Sequence, residues 1–391
     1  MHEKYYEEEL DWSLEKLLPK NLRIEKVNAM GVSKPRIIGD IGLRAFYSMY
    51  KKAKQLIIDE KIDFLYITIP SFYGALWGRW LHASTGIKYG IDYIDPWVHE
   101  FPGSDKLFSR HWMATKVSKF LEPIAIKKAS LITGVAASYY DGVLERNPHL
   151  KGQTKCIAIP YGSERLDHEK LNELDIQPYL FQHKPGKIQL VYAGAMLPKA
   201  YMPLEEIFKA ISDNKELFID LEFHFIGTGK STDDPAGYNI KPLAEKYGLW
   251  QSIVFEYPRR IPYLDVLVHL SEADGVFILG STEAHYTPSK VYQGVLSEKP
   301  ILVVLHSEST GCKVIRDSNT GIVLDFDGET DLEKIRQNFG ALYNDFLEMI
   351  KTFDPKNTDH IEFENYSADK ITYILSTQLD EIINDDTKSL R

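Results

Sequence analysis

The chain has 391 residues, 44% of them hydrophobic and 26% charged, and this length and composition indicate two folded domains. The formal net charge of −10, without any basic block, argues against a general nucleic-acid binder, since such proteins present a basic face to phosphates. Just two cysteines, Cys156 and Cys312, favour a reducing, cytoplasmic location over a disulfide framework. No apolar run has the length of a membrane span, no signal peptide is visible, and no metal-type Cys or His cluster occurs.

Strands and helices alternate along the first half of the chain. Short apolar runs bounded by turn formers predict strands, and helical spacing of apolar residues separates them. The predicted strands cover residues 22–27, 63–69, 88–94, 131–135 and 156–162. The predicted helices cover residues 41–58, 108–129 and 137–146. This alternation indicates an α/β domain with a parallel sheet.

A polar stretch at residues 163–186, which contains Pro178 and Pro185, predicts an interdomain linker. After it the alternation of strands and helices starts again. The predicted strands cover residues 187–193, 221–226, 252–255, 275–279 and 301–305. The predicted helices cover residues 205–211 and 266–273, a segment that begins near 289, and the tail at 368–383.

Two successive α/β halves predict two Rossmann-like domains that face each other across a cleft. In such folds ligands bind at the C-terminal ends of the strands. We expect the first domain at residues 1–170, the second at 171–365, and a C-terminal helix at 366–391 that packs back on the first domain.

The stretch from Gly280 to Pro300 is a strand–loop–helix–strand unit with Ser and Lys at the start of its helix. Pro288 fixes the entry of the chain, and the helix begins near Ser289. Free backbone N–H groups and the ammonium of Lys290 at such a point form an anion site, most naturally for a phosphate. We expect the protein to be organised around a phosphate-bearing ligand at this place.

Glycines follow two strands in the second half of the chain. At Gly227 and Gly229 the lack of a Cβ lets a ligand approach the backbone, and a plain turn is the alternative; Gly194 follows a strand in the same way. Lys199 is either a phosphate cation or a solvated loop lysine. The Gly-Lys-Ser at 229–231 is not a P-loop, because His224 stands where that motif needs its first glycine.

Two loops that follow buried strands carry candidate reacting groups. Glu283 and His285 lie just before the helix of the anion site, where a histidine can donate to a phosphate or a sugar hydroxyl. A pair of surface loop residues is the alternative. In the first half, Asp95 can orient or deprotonate a hydroxyl, and His99 can contact a donor group across the cleft. Asp95 and Pro96 alternatively just start a turn.

The predicted helix at 108–129 mixes basic and large apolar side chains. Such a helix either lies on anionic lipid or is a surface helix with its lysines in solvent. The basic residues are Arg110, Lys116, Lys119, Lys127 and Lys128. The apolar residues between them are Trp112, Met113, Phe120 and Ile124.

These features together resemble the GT-B glycosyltransferases, in particular the family-4-like retaining transferases of bacterial polysaccharide synthesis. The resemblance covers most of the chain and is best from residue 187 to 310. In the second half it rests on Gly194…Lys199, Phe225-Ile226-Gly227-Thr228-Gly229, Tyr247-Gly248-Leu249, Val254-Phe255, Ala273-Asp274 and Pro288-Ser289-Lys290…Lys299-Pro300. In the first half it rests on Asp92-Tyr93-Ile94-Asp95-Pro96-Trp97 and on the turn Pro160-Tyr161-Gly162.

The resemblance implies a nucleoside-diphosphate sugar of UDP or GDP type as donor, bound mainly by the second domain, and no other cofactor. It implies a saccharide or a lipid-linked saccharide as acceptor, bound on the first domain. By position, the N–H groups of Ser289 and Lys290 hold the diphosphate, and Lys199 and Lys290 neutralise it without a metal ion. Arg259 then lies near the nucleobase, and Glu283 faces the transferred sugar.

The chain departs from the family pattern at several positions. His285 and Gln293 stand where the family often has two glutamates, and the neutral amide of Gln293 can still bond a ribose hydroxyl. Ala195 stands where the family usually has an arginine directly after the glycine. Lys199 comes one residue earlier than the usual family spacing places this lysine. Met1 begins where the second βα unit of the family normally starts, so the first βα unit is expected to be missing.

We therefore expect a retaining, metal-independent glycosyltransferase of hexosyltransferase type that acts in surface polysaccharide assembly. It would work in the cytoplasm, with peripheral contact at the inner face of the membrane. Two alternatives stay open. One is a nucleotide-sugar epimerase on the same scaffold, which acts on the donor alone. The other is a non-catalytic scaffold protein with a degenerate site, which binds a partner protein.

Overall fold

The computed structural model describes residues 1–7, 10–32, 40–98, 106–232 and 234–389. The chain divides into two compact units. The first comprises Met1–Glu7, Arg23–Pro160 and Ile371–Arg391, and the second comprises Glu8–Leu22 and Tyr161–Lys370. This division differs from the ranges expected from the sequence at residues 8–22, 161–170 and 366–370, which belong to the second unit.

The first unit is built on a four-stranded parallel sheet with the strand order β1-β2-β3-β4. Its strands are β1 (Phe64–Ile69), β2 (Lys88–Tyr93), β3 (Leu131–Gly134) and β4 (Lys155–Ala158). Its helices are α1 (Ile41–Glu60), α2 (Ala75–Thr85), α3 (Arg110–Ile126) and α4 (Asp141–Arg146). Most of the final helix of the chain also belongs to this unit, where the ammonium of Lys88 donates to the carbonyl of Ile382 at 2.6 Å.

The second unit is built on a six-stranded parallel sheet with the strand order β10-β9-β8-β5-β6-β7. Its strands are β5 (Ile188–Ala193), β6 (Leu221–Ile226), β7 (Val254–Tyr257), β8 (Gly275–Leu279), β9 (Ile301–His306) and β10 (Gly321–Phe326). The helices from residue 161 onward are α5 (Arg165–Leu174), α6 (Tyr201–Asp213), α7 (Lys241–Lys246), α8 (Tyr263–Glu272), α9 (Lys290–Leu296), α10 (Thr310–Ser318), α11 (Leu332–Thr352), α12 (His360–Glu364) and α13 (Ala368–Ser389).

Both faces of the second sheet are buried, which explains the unbroken apolar runs in its sequence. In β8, Phe277 and Leu279 join one hydrophobic cluster, whereas Val276 and Ile278 join another on the opposite face. Successive side chains of a strand point to opposite faces, so a strand with helices on both sides must be apolar throughout. The predicted α/β class with parallel sheets is confirmed.

The strand order of the second sheet reverses between β5 and β8. These two strands are paired through just two residue pairs, Leu190 with Gly275 and Val191 with Val276. Both strands run on past this pairing, to Ala193 and Leu279. A parallel α/β sheet offers a crevice for ligands at such a switch point, outside the carboxyl ends of the strands.

Two local predictions from the sequence are wrong. Residues 22–27 form no strand; the side chains of Leu22 and Ile24 are 52% and 57% exposed, so their alternation with charged residues buries nothing. The stretch at 163–186 is not all linker, because it contains α5. Glu164 caps this helix by accepting from the N–H of Leu166 at 3.0 Å, and the buried Leu171 holds it to the core.

Between residues 311 and 367, where the sequence had suggested no element, the chain forms α10, β10, α11 and α12. No helix in the described ranges is both long and apolar enough to cross a membrane.

A buried ion pair ties α3 to α4 in the first unit. The carboxylate of Glu122 is fully buried and accepts from Nε and Nη2 of Arg146, both at 2.9 Å. We expect Arg146→Met to destabilise the first unit by about 3 kcal/mol, because it leaves a buried carboxylate without its partner. Equilibrium denaturation measures this.

The matched control is Arg336→Met, which removes an exposed pair with Asp213. That change should leave the free energy of unfolding almost unchanged, because water screens an exposed pair. Equal effects of the two substitutions would contradict this account of the first unit.

Candidate functional site

The turns that follow β5 and β6 lie side by side at the carboxyl edge of the second sheet. The N–H of Gly194 donates to the carbonyl of Ile226 at 2.7 Å, and the N–H of Gly227 donates to that of Tyr257 at 2.8 Å. Both glycines have positive φ, +103° and +71°, which side chains rarely adopt. The sequence expectation that each of these glycines directly follows a strand is confirmed.

Lys290, the first residue of α9, reaches across the switch point to β5. Its ammonium lies 4.0 Å from the centroid of the Tyr192 ring, 2.6 Å from the hydroxyl of Tyr192 and 3.2 Å from the carbonyl of Ala195. A Cβ placed on Gly194 would lie 3.0 Å from Cε of Lys290. The lysine therefore packs directly against the glycine turn.

Lys290 is a half-buried cation with no anionic partner in the described part of the chain. Its neighbours are a phenol ring and a backbone carbonyl, and no described carboxylate comes within ion-pair distance. Burial lowers the pKa of Lys290 to about 7. A cation that has lost hydration and gained no counter-ion favours an incoming anion.

A second cation, Arg260, lies against the other glycine turn, and sequence reasoning missed it. Its Cγ is 3.6 Å from the place that a Cβ on Gly227 would take, and its N–H donates to the carbonyl of Thr232 at 2.9 Å. Among the described residues no carboxylate pairs with its guanidinium. The signal in the sequence was the doublet with Arg259, of which just the first member had been singled out.

Arg259 lines a cavity of about 710 Å³ beside the loop after β7. Tyr238, Tyr257 and Pro258 contribute flat or apolar walls, and Asp11 and Glu256 contribute carboxylates. Glu256 is buried and fixes the neighbouring turn, since it accepts from the hydroxyl of Thr228 at 2.9 Å. The cavity has the size and the mixed lining of a small-molecule pocket.

The other candidate residues of the second half differ in whether protein groups already bind them. Lys199 lies 3.5 Å from a carboxylate oxygen of Glu329, so it is an ion-paired lysine. Ser289 is exposed, and its side chain makes no cap bond to α9. Glu283 is half-buried and accepts from the hydroxyl of Ser281 at 3.2 Å. His285 is half-buried on the same loop.

Gln293, one turn along α9 from Lys290, is held by two neighbouring helices. Its amide oxygen is 3.0 Å from Nε2 of His168 on α5, and its side chain also bonds the hydroxyl of Tyr263 on α8. That hydroxyl donates to Asp167 at 2.8 Å. Burial lowers the pKa of His168. Because the amide oxygen of Gln293 can only accept, Nε2 of His168 is the donor in this bond. A sugar hydroxyl would have to compete with these bonds for Gln293.

In the first unit, Asp95 is exposed just after β2. His99 lies outside the described residues. Asp92 on β2 was named in the resemblance motif but given no role; it accepts from the hydroxyl of Thr133 at 2.7 Å, and burial raises its pKa. Across the described ranges, no group of three or more His, Cys, Asp or Glu side chains is arranged to hold a metal ion.

No protein-family model and no curated protein matches the sequence. Solved structures match in fold. A glycosyltransferase from Rickettsia africae has a TM-score of 0.56, 15% identity, and coverage of 85% of this chain and 80% of its own. Sucrose-phosphate synthase from Thermosynechococcus elongatus matches with a TM-score of 0.60 and 10% identity, over 88% of this chain and 80% of its own. Anabaena HepE in complex with UDP matches with a TM-score of 0.57 and 12% identity, over 87% of this chain and 84% of its own.

These likenesses show that the chain has the fold of the GT-B glycosyltransferases, as the sequence predicted. At such low sequence identities they show the fold but not the reaction or the substrates. Membership in the family-4-like group stays a prediction.

The contact between Lys290 and the first glycine turn can be tested by Gly194→Ala. The new Cβ meets Cε of Lys290 at 3.0 Å on a backbone with φ of +103°, so the lysine must move. We expect a loss of about 1–2 kcal/mol in the free energy of unfolding. We also expect the pKa of Lys290, followed by NMR of the labelled side chain, to rise as the ammonium regains water.

The matched control is Gly186→Ala, at a turn with φ of +81° where a Cβ meets nothing within 4 Å. It should show similar backbone strain and leave the titration of Lys290 unchanged. If both variants left that titration unchanged, the packing of Lys290 on Gly194 would be refuted.

Proposed function

We propose that the protein is a glycosyltransferase that moves a sugar from a nucleoside-diphosphate sugar to a hydroxyl acceptor. The observation that carries the proposal is the position of Lys290. Its ammonium has no carboxylate partner among the described residues and lies at the switch point of a GT-B fold, against the turn of Gly194. Arg260 flanks the adjacent turn of Gly227. Two cations beside two open turns suit a diphosphate.

The nucleoside fits the cavity beside the loop after β7. Aromatic and prolyl walls from Tyr238, Tyr257 and Pro258 suit a flat base, and Arg259 supplies donors at its edge. The HepE structures hold UDP and UDP-glucose. That likeness favours UDP over GDP as the nucleotide carried by the donor.

The chemistry requires a leaving group whose charge is stabilised. The acceptor oxygen bonds to the anomeric carbon, the bond from that carbon to the β-phosphate oxygen breaks, and the acceptor proton leaves with the diphosphate. Lys290, Arg260 and the N–H groups of Ser289 and Lys290 face the charge that develops on the diphosphate. Lys199 joins them if the diphosphate draws it from Glu329.

The sugar would lie beside the loop that joins β8 to α9. Glu283 and His285 on this loop can bond its hydroxyls, and Gln293 can bond the ribose once it is released from His168. Asp95 and His99 are the proposed groups for the acceptor. Retention at the anomeric carbon, transfer without a metal ion and a role in surface polysaccharide assembly are implied by the family resemblance and complete the proposal.

The test is a calorimetric and thermal-shift screen of UDP, GDP and ADP. UDP should raise the unfolding temperature, since a ligand at one hundred times its Kd stabilises by about 2.7 kcal/mol. Lys290→Ala should lower UDP affinity by at least about tenfold and abolish turnover of a UDP-sugar, with the fold intact. Lys215→Ala, at an exposed lysine, is the control. Turnover should persist in EDTA.

Three results would overturn the proposal. Unchanged UDP affinity in Lys290→Ala would remove the phosphate assignment. Binding of none of the three nucleotides would favour the non-catalytic scaffold instead. Rearrangement of a UDP-sugar without any acceptor would favour the epimerase.

The low pKa of Lys290 gives UDP binding a specific pH dependence. The ammonium form binds the diphosphate, and in the free protein this form is lost as pH rises through about 7. UDP affinity should therefore fall between roughly pH 7.5 and 9.5, by up to about tenfold per pH unit, with uptake of a proton on binding. Calorimetry in buffers of different ionisation enthalpy measures both quantities.

The variant Lys290→Met should bind UDP weakly, and its UDP affinity should not fall with pH in this way. A wild-type affinity that stays flat over the same range, with no proton uptake, would show that Lys290 does not meet the diphosphate.

A further inference from the structure

Helix α3 presents an apolar stripe on the side opposite to its packed face. Its buried residues are Glu122, Ala125 and Ile126. At about 100° per residue, four large apolar side chains fall within an arc of roughly 60° centred opposite Glu122. They are Met113, Val117, Phe120 and Ile124, which are 55%, 41%, 70% and 38% exposed. Apolar residues at helical spacing on the exposed side of a helix indicate a contact with something outside the core of the protein.

The stripe continues into the residues that precede the helix. Leu107 and Phe108 are 70% and 79% exposed, and the ring of Phe108 lies 5.5 Å from that of Trp112. Ser109 then caps α3 by accepting from the N–H of Trp112 at 3.0 Å. Six exposed apolar side chains in one continuous segment mark an interaction surface.

The same segment is strongly basic in a chain whose net charge is −10. Its sole acidic residue is Glu122, which faces inward and pairs with Arg146. On the helical wheel, Lys116 and Lys127 flank one side of the stripe, and Arg110 flanks the other. The basic residues between 106 and 128 are Lys106, Arg110, Lys116, Lys119, Lys127 and Lys128.

We propose that α3, together with Leu107 and Phe108, docks the protein on the surface of an anionic phospholipid bilayer. The helix lies in the plane of the interface, with its stripe among the acyl chains and its lysines extended to the phosphates. Charge complementarity selects this occupant. Basic side chains on both flanks of an apolar stripe match a continuous negative surface. This inference goes beyond the proposed reaction and does not rest on it.

The experiment is co-sedimentation of the full chain with vesicles. One set contains phosphatidylcholine alone, and the other contains equal parts of phosphatidylcholine and phosphatidylglycerol. We expect binding to the anionic vesicles and little to the neutral ones. The variant Val117→Asp/Phe120→Asp should lower the partition coefficient by more than about tenfold. The variant Lys116→Gln/Lys127→Gln, at the two lysines beside the stripe, should lower it by about fivefold for each lysine.

The matched control is Ile361→Asp, which changes an apolar side chain 83% exposed on α12. It should bind the anionic vesicles like the wild type. If the aspartate pair prevents folding, as circular dichroism would show, the glutamine pair still tests the proposal at surface positions.

Three outcomes would overturn the proposal. The first is no binding of the wild type to anionic vesicles. The second is equal binding by the wild type and both α3 variants. The third is a dimer in light scattering that Val117→Asp/Phe120→Asp dissociates, which would assign the stripe to a second copy of the chain.

Discussion

The packing of the Lys290 ammonium on the ring of Tyr192 is the contact on which the second unit's site depends. It joins the start of α9 to the end of β5, across the point where the strand order of the sheet reverses. An ammonium in that place loses water and receives a phenol and a carbonyl in return. This arrangement leaves the ammonium without an anionic partner among the described residues, which is the physical basis for assigning an anion to the site.

The sheet determines where this cation can lie. Because β5 and β8 are paired over just two residues, the strands run on past their pairing and leave a space, which Lys290 crosses to reach Tyr192. Gly194 and Gly227 keep that space open, since any Cβ at the first position would meet Lys290 and at the second would approach Arg260. Backbone conformation and charge therefore act together at one edge of the sheet.

Much of the fold could be predicted from the sequence, because strands buried on both faces are apolar throughout and bounded by turn residues. The runs at 275–279 and 301–305, and the convergence of Gly194, Gly227 and Lys290, follow from this rule. The strand expected at 22–27 does not form because its alternation finds no apolar surface to cover. The helix α5 was hidden by its polar composition, since few of its side chains, such as Leu171, are buried.

The side-chain partners in the site could not be predicted. Nothing local in the sequence shows that Lys199 pairs with Glu329 or that Gln293 bonds His168, because both partners are distant in the chain. The same holds for Arg260, whose place beside Gly227 depends on the neighbouring strands β6 and β7.

Tyr192 and Lys290 are separated by 98 residues along the chain, although their side chains touch. Bringing such distant segments together costs the entropy of closing a long loop, which is lost before the contact forms. During synthesis the site cannot exist until α9 has emerged and docked. A proteolytic fragment that ends before residue 290 would lack it altogether, so ligand affinity reports on the integrity of the whole second unit.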